Sequence, residues 1–242
     1  MFSAEFAPRA RKLAVVLAGM ALPGVAQAAI VVASSGPSAA AYPVGRKLDD
    51  AGTITLRAGD AVTVLDAKGT RVLRGAGTFA VAAPGGTAKA STFAVLTMQR
   101  SAQRVRTGAV RAGKDATPPA SPNLWFVDVT KSAKRCLVAG QPVRLWRMDT
   151  AVATTYAVKP AGGASVAVSF PAGAMVAPWD SAKAPLADGS SLSVSLGGKP
   201  VATIDIAVLP SQPANAEAMA AALIERGCMA QVDLLSSTLA QP

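Results

Sequence analysis

Histidine is missing from all 242 residues, and cysteine occurs only twice. Without an imidazole the chain cannot assemble a Ser–His–Asp or Cys–His nucleophile. With two thiols and no histidine it also lacks the donor set of a structural zinc site. No serine stands three residues before a lysine, so the Ser-x-x-Lys nucleophile of penicillin-recognising enzymes is absent as well. Aromatic residues make up 5% of the chain, and Phe93 is the one aromatic between Phe79 and Trp125. That leaves little for nucleic-acid bases to stack on, so sequence-specific nucleic-acid recognition is not expected. No cofactor is expected, because no cofactor motif survives inspection. Beyond residue 28 no run approaches the roughly 18 apolar residues of a membrane span, so no transmembrane segment is expected after that point.

What is present begins with an export signal. Arg9, Arg11 and Lys12 precede the apolar stretch Leu13 to Leu22, and Pro23-Gly24 breaks it before Ala26-Gln27-Ala28. A positive segment, a short apolar segment and small residues at a cleavage position are the plan of a secretory signal peptide, here residues 1–28 with cleavage after Ala28. The expected location is the periplasm or the medium. In such an oxidising compartment Cys136 and Cys228 read as a disulfide. The cross-link closes a loop of 92 residues, for which chain entropy gives about 4 to 5 kcal/mol. Two buried free thiols are the competing arrangement.

Charge is unevenly distributed. Residues 29 to 114 hold twelve Lys and Arg against four Asp, whereas residues 115 to 242 hold nine of each sign. Within the first part, Lys89, Arg100, Arg104, Arg106, Arg111 and Lys114 follow one another with no acid between them. On an exported chain the natural counterparts of such a run are envelope polyanions, such as lipopolysaccharide phosphates, acidic polysaccharide, extracellular DNA or anionic lipid. The plainer alternative is a solvated basic face.

Alternation of apolar and polar residues predicts strands. Ile30 to Ser35, Thr53 to Arg57, Ala61 to Leu65, Thr70 to Arg74 and Thr78 to Ala82 make a small basic β-domain, roll- or barrel-like, over 29–114. Thr92 to Val105 suits a strand or a helix. Three prolines in residues 115–122 predict an extended linker. Residues 123–213 contain about eight short strands separated by turns, the pattern of an immunoglobulin-like β-sandwich. In residues 214–242 the period changes: Ala216, Met219, Ala220 and Leu223 mark a helix over 214–226 that Gly227 ends. The expected fold class is therefore mainly β, a small β-domain plus a sandwich with a terminal α-helix.

Two glycine patterns imitate nucleotide sites. Gly108 to Lys114 has P-loop spacing, but Asp115 stands where a hydroxyl is needed and Pro118-Pro119 forbid the following helix. Gly75 to Ala80 has dinucleotide-fingerprint spacing, but the segment after it is a predicted strand. Asp180, Asp188 and Asp205 are the acids a carboxylate hydrolase would draw on, and each falls in a turn or on a polar strand face. Trp125, Trp146 and Trp179 lie in predicted strands and read as sandwich core or its rim rather than a sugar platform.

The stretch Leu56-Arg57-Ala58-Gly59-Asp60-Ala61-Val62-Thr63-Val64-Leu65, continuing through Gly69 to Gly75, resembles FecR-type periplasmic β modules. With Ser121 to Trp125 and Gly227-Cys228, the whole resembles uncharacterised exported proteins of alphaproteobacteria. That resemblance implies a β-rich periplasmic module and no particular activity. The membrane anchor and cytoplasmic segment of FecR proteins have no counterpart in the sequence, so transmembrane signalling does not carry over. The function expected is non-enzymatic binding or interaction, with an envelope polyanion or a protein partner, as an accessory to an envelope sensor or assembly. A carboxylate-dependent envelope hydrolase and a structural envelope component are the alternatives.

Overall fold

The computed structural model describes residues 29–82, 90–98 and 121–240. The predicted signal peptide with Ala28, the P-loop-like segment, residues 115–120 of the predicted linker and the cations Lys89, Arg100, Arg104, Arg106, Arg111 and Lys114 lie outside the described residues.

The first part supplies β1 (Ala29–Ser35), β2 (Lys47–Leu48), β3 (Thr53–Leu56), β4 (Ala61–Asp66), β5 (Gly69–Arg74), β6 (Gly77–Ala80) and α1 (Ala90–Thr97). β2, β1, β4 and β5 form an antiparallel sheet in that order, and β3 pairs with β6. The β4–β5 hairpin forms where turn composition predicts it. The Asp66 carboxylate accepts the N–H groups of Lys68 at 2.7 Å and Gly69 at 3.1 Å and so fixes the turn. The described part of Thr92 to Val105 is helical to Thr97, and the glycine pattern at Gly75 leads into strand β6, so no helix terminus faces it.

The second part supplies β7 (Phe126–Asp128), β8 (Ala133–Val138), β9 (Arg144–Trp146), β10 (Thr154–Pro160), β11 (Val166–Phe170), β12 (Val176–Pro178), β13 (Ser191–Leu196), β14 (Lys199–Leu209), α2 (Ala216–Glu225) and α3 (Met229–Thr238). One sheet has the order β11-β10-β13-β14-β8 and the other β12-β9-β7. Most pairs are antiparallel, but β14–β8 and β7–β9 are parallel. Gly197 (φ 57°) and Gly198 (φ 80°) turn the β13–β14 hairpin with both residues left-handed, which only glycine adopts without strain.

Between the two sheets lies a core of Val127, Leu145, Val158, Phe170, Leu192 and Ile204 among others. Arg147 is buried at its edge, 5.1 Å from the Phe170 ring centroid, and donates to the carbonyls of Ala174, Val152, Phe170 and Pro171. It thereby ties the turns after β9 and β11 together. A second core draws Ile30, Val32 and Leu65 from the first sheet, Leu209 and Val138 from the five-stranded sheet, and Met219, Leu223 and Val232 from the helices. The helices thus sit between the two sheets, and burying this shared apolar surface holds them there. β1 is buried on both faces because Ala29 and Val31 enter a third core with Ile54, Val62 and Val64.

The architecture is mainly β, with helices at the C-terminal end. The predicted helix is present as α2, capped by Asn215, whose side chain accepts the Ala218 N–H at 2.8 Å. A second helix, α3, follows directly where the sequence suggests only a tail. Among the described residues no helix is long and apolar enough to cross a membrane.

Candidate interaction surfaces

Three of the four acids of the first part, Asp49, Asp60 and Asp66, are committed to the backbone. Asp60 is buried; its carboxylate accepts the Ser38 N–H at 2.8 Å and the Arg57 N–H at 2.5 Å. This bolts the loop after β1 to the turn before β4. Gly36 (φ 97°) passes so near that a Cβ there would come within 2.6 Å of the Asp60 carboxylate. Asp49 accepts the Ala51 N–H at 2.9 Å, and Asp66 holds its hairpin and lies 3.8 Å from Arg71. The Gly-Asp pair at 59–60 therefore has a structural role here.

The cations are left outward. Among the described residues, Arg46, Lys47, Arg57 and Arg74 are exposed and form no salt bridge. Arg46 rests over the Tyr42 ring and donates to the Ala41 carbonyl. Arg57 and Arg74 flank one turn, since Arg74 pairs with Ala61 and Asp60 accepts the Gly75 N–H. None of these four belongs to the acid-free run, because their exposure depends on acids that the fold turns away.

Cys136 and Cys228 are both buried and form a disulfide, with their Cα atoms 5.8 Å apart. Beside them, the fully buried Gln231 of α3 uses its side-chain amide as a substitute strand. Its Oε1 accepts the Cys136 N–H at 2.7 Å, while its Nε2 donates to the carbonyls of Cys136 at 3.0 Å and Leu124 at 2.9 Å. The outer edge of β8 is thus closed by a side chain, and α3 is fastened to β8 by a covalent bond and by hydrogen bonds. Nothing in the local sequence marks Gln231, because its role depends on an edge about a hundred residues away in the chain.

The sandwich acids are separately engaged. The Asp180 carboxyl is held below its ordinary range by hydrogen bonds from Lys183, 3.0 Å away in an ion pair. Asp188 is lowered by the Val208 N–H and then by Arg226, at 3.1 Å. For Asp60, burial acts upward, but the bonds from Ser38 and Arg57 outweigh it and the net direction is down. A general acid needs the opposite, a carboxyl raised toward the working pH. Asp205 is exposed on β14 opposite Ser191 and Lys134. Among the described residues no group of three or more Cys, Asp or Glu is placed to hold a metal ion.

These three carboxyls stabilise the fold while ionised, so their contribution is present above the ordinary carboxylate pKa and is lost as pH falls through the lower folded-state values. The thermal midpoint is expected to hold steady from neutral pH down to about pH 5 and to fall below about pH 4. Asp60→Asn should make that acid limb shallower. A midpoint that stays constant through the acid range in the unmutated chain contradicts this reading.

Three shallow depressions surround the segment between β12 and β13. The largest, about 530 Å³, is lined by Pro160 to Val166 and Lys183 to Pro185. A second, about 460 Å³, lies between Leu137 to Val143 and Pro185-Leu186. The third, about 230 Å³, runs along β11, bounded by Ala177, Pro178, Asp180 and Lys183. All are open, and none gathers convergent acids. Trp125, Trp146 and Trp179 are all buried, so no aromatic platform faces solvent from these positions. Trp125 and Trp179 spend their indole N–H on the carbonyls of Thr97 and Ala184.

Comparison of the chain with family models, with curated proteins and with solved structures finds no match.

Proposed function

We propose that the chain is an exported, non-enzymatic binding protein of the periplasm or the medium, in which the basic first part engages an envelope polyanion. It would serve there as an accessory to an envelope sensor or assembly. The observation that carries this reading is the fate of the N-terminal acids: Asp49, Asp60 and Asp66 accept backbone N–H groups, while Arg46, Lys47, Arg57 and Arg74 keep their charge for solvent. Lys89, Arg100, Arg104, Arg106, Arg111 and Lys114 add to the same excess in sequence. Accumulated exposed cations in excess over acids attract polyanions through counterion release, whatever the polyanion's detailed structure.

The test compares chains beginning at residue 29, with and without alanine at Arg100, Arg104, Arg106 and Arg111, for binding to lipopolysaccharide, mixed-sequence DNA and anionic-lipid vesicles. The variant should bind at least about tenfold more weakly at physiological salt, with its thermal midpoint unchanged. Equal binding by the two chains refutes a part for these four arginines, and equal binding also by a chain with alanine at Arg46, Lys47, Arg57 and Arg74 refutes the assignment. The whole exported chain is the right object, because the first sheet shares a core with α2 and α3.

Against the hydrolase reading, Asp180 and Asp188 are each ion-paired and held below their ordinary range, while the one raised carboxyl among the described residues, Glu217, is raised by burial.

A further inference from the structure

The place of β1 in the fold gives the predicted cleavage a structural consequence. β1 starts at Ala29, the residue that cleavage after Ala28 makes the first of the exported chain. The first few residues of a domain are ordinarily poorly ordered unless something ties them down. Here β1 lies between β2 and β4, with Ala29 and Val31 in one core and Ile30 and Val32 in the core shared with the helices. Ala29 itself is fully buried.

Strand register fixes what surrounds the Ala29 nitrogen. Ala29 stands opposite Leu48 of β2, and the Val31 N–H donates to the Arg46 carbonyl at 2.9 Å, so the odd-numbered N–H groups at this end of β1 face β2. The Ala29 nitrogen therefore points toward Leu48, which Asp49 and Asp50 follow. On the other side Ile30 stands opposite Leu65 of β4, and one step along the same register Ala29 stands opposite Asp66, with Cα atoms about 5 Å apart. α2 covers the second face, where Met219 and Ala220 share a core with Ile30, and Glu217 lies in its first turn. Glu217 is half-buried and within electrostatic reach of the same residues. Burial raises its carboxyl above the ordinary range against the pull of Lys47, and Asp50 and Asp66 raise it further. The charged groups around this strand end are thus Lys47, Asp49 and Asp50 from β2 and the loop after it, Asp66 from β4, Lys68 from the hairpin turn, Arg71 from β5 and Glu217 from α2. One positive charge added to these four acids and three bases completes the balance.

We infer that the α-ammonium group created at Ala29 by cleavage after Ala28 is the counter-charge of Asp50, Asp66 and Glu217, so that removal of the signal peptide fastens the start of β1 into the first sheet. The inference rests on the export reading. In the uncleaved chain this nitrogen belongs to a neutral amide, so the pairing exists only after processing. Neighbouring carboxylates favour the ammonium and burial opposes it; with acids on both flanks and on the helix above, the acids prevail. A raised α-amine stabilises the fold fully below the ordinary α-amino range, about 7.7 to 8.0, and its contribution is lost as pH rises through the higher folded-state value.

Intact mass of the exported chain is read first, and a first residue other than Ala29 overturns the cleavage on which the inference rests. The charge pairing is then tested by comparing the chain beginning at Ala29 with the same chain Nα-acetylated, which removes the charge at nearly constant size. At pH 7 the unfolding equilibrium constant of the free-amine chain should be about tenfold smaller, equivalent to one pKa unit. The difference should close as pH rises to about 10, and at pH 7 it should shrink when both chains carry Glu217→Gln. In isotope-labelled chain the Ala29 α-amine should titrate above about 8. Equal stability of the two chains across this pH range, or an α-amine that titrates at or below about 8, overturns the pairing. If the acetylated chain does not fold, the titration of the free-amine chain decides. Polyanion binding enters none of these readouts.

Discussion

Replacing Cys136 and Cys228 together by alanine should lower the free energy of unfolding by about 4 kcal/mol, read as a shift of the denaturant midpoint. The cross-link spans 92 residues and encloses the chain from β8 through α2. Without it, the unfolded chain regains the entropy of a long open loop. The native side loses as well, since both half-cystines are buried in the core that joins the helices to the two sheets. Thiol reductant added to the unmutated chain should give the same shift. A midpoint change corresponding to less than about 1 kcal/mol contradicts the stapling role, because removal of native disulfides typically costs about 2 to 5 kcal/mol.

Gln231→Leu should cost about 3 kcal/mol although it keeps an apolar-compatible volume. The leucine leaves the Cys136 N–H, the Cys136 carbonyl and the Leu124 carbonyl buried with their side-chain partner gone. Unsatisfied buried groups cost more than the bonds they lose are worth on net. An effect within about 0.5 kcal/mol, ordinary for surface substitutions, shows that β8 and α3 do not depend on this contact. Gln231 and the disulfide both act on Cys136, so the combined variant should fall short of the sum of the separate effects.

Much of the strand pattern is legible from alternation alone. Leu192 and Val194, or Ile204 and Ile206, face one core, so period two survives in the sequence. The hairpins at Asp66 to Gly69 and Gly197-Gly198 are written in turn residues, and the two cysteines announce their pairing through composition and compartment. What escapes the sequence depends on distant partners. α3 begins at Met229 straight after a glycine stop and ends in Ser236, Ser237 and Thr238, whose hydroxyls donate to carbonyls three or four residues back. Val232, Leu234 and Leu235 bury its inner side in the shared core, and the disulfide and Gln231 fasten it there. The buried guanidinium of Arg147 has no local mark, because its acceptors come from two separate turns. Arg135 is likewise buried, its pKa lowered to about 10 by desolvation against the pull of Asp128, and it donates to the Phe126 carbonyl. The exposed cations of the first sheet are visible in the sequence, but the withdrawal of their neighbouring acids is a matter of geometry.

The most direct measurement is the salt dependence of binding to mixed-sequence DNA, used as a generic polyanion, by the chain beginning at residue 29. If the six cations from Lys89 to Lys114 engage phosphates of duplex DNA, log K against log salt should fall with a slope of about −5.4. The alanine variant at Arg100, Arg104, Arg106 and Arg111 should flatten it by about 3.6. A slope near zero in the unmutated chain, or one that the variant leaves unchanged, contradicts polyanion binding through this basic segment.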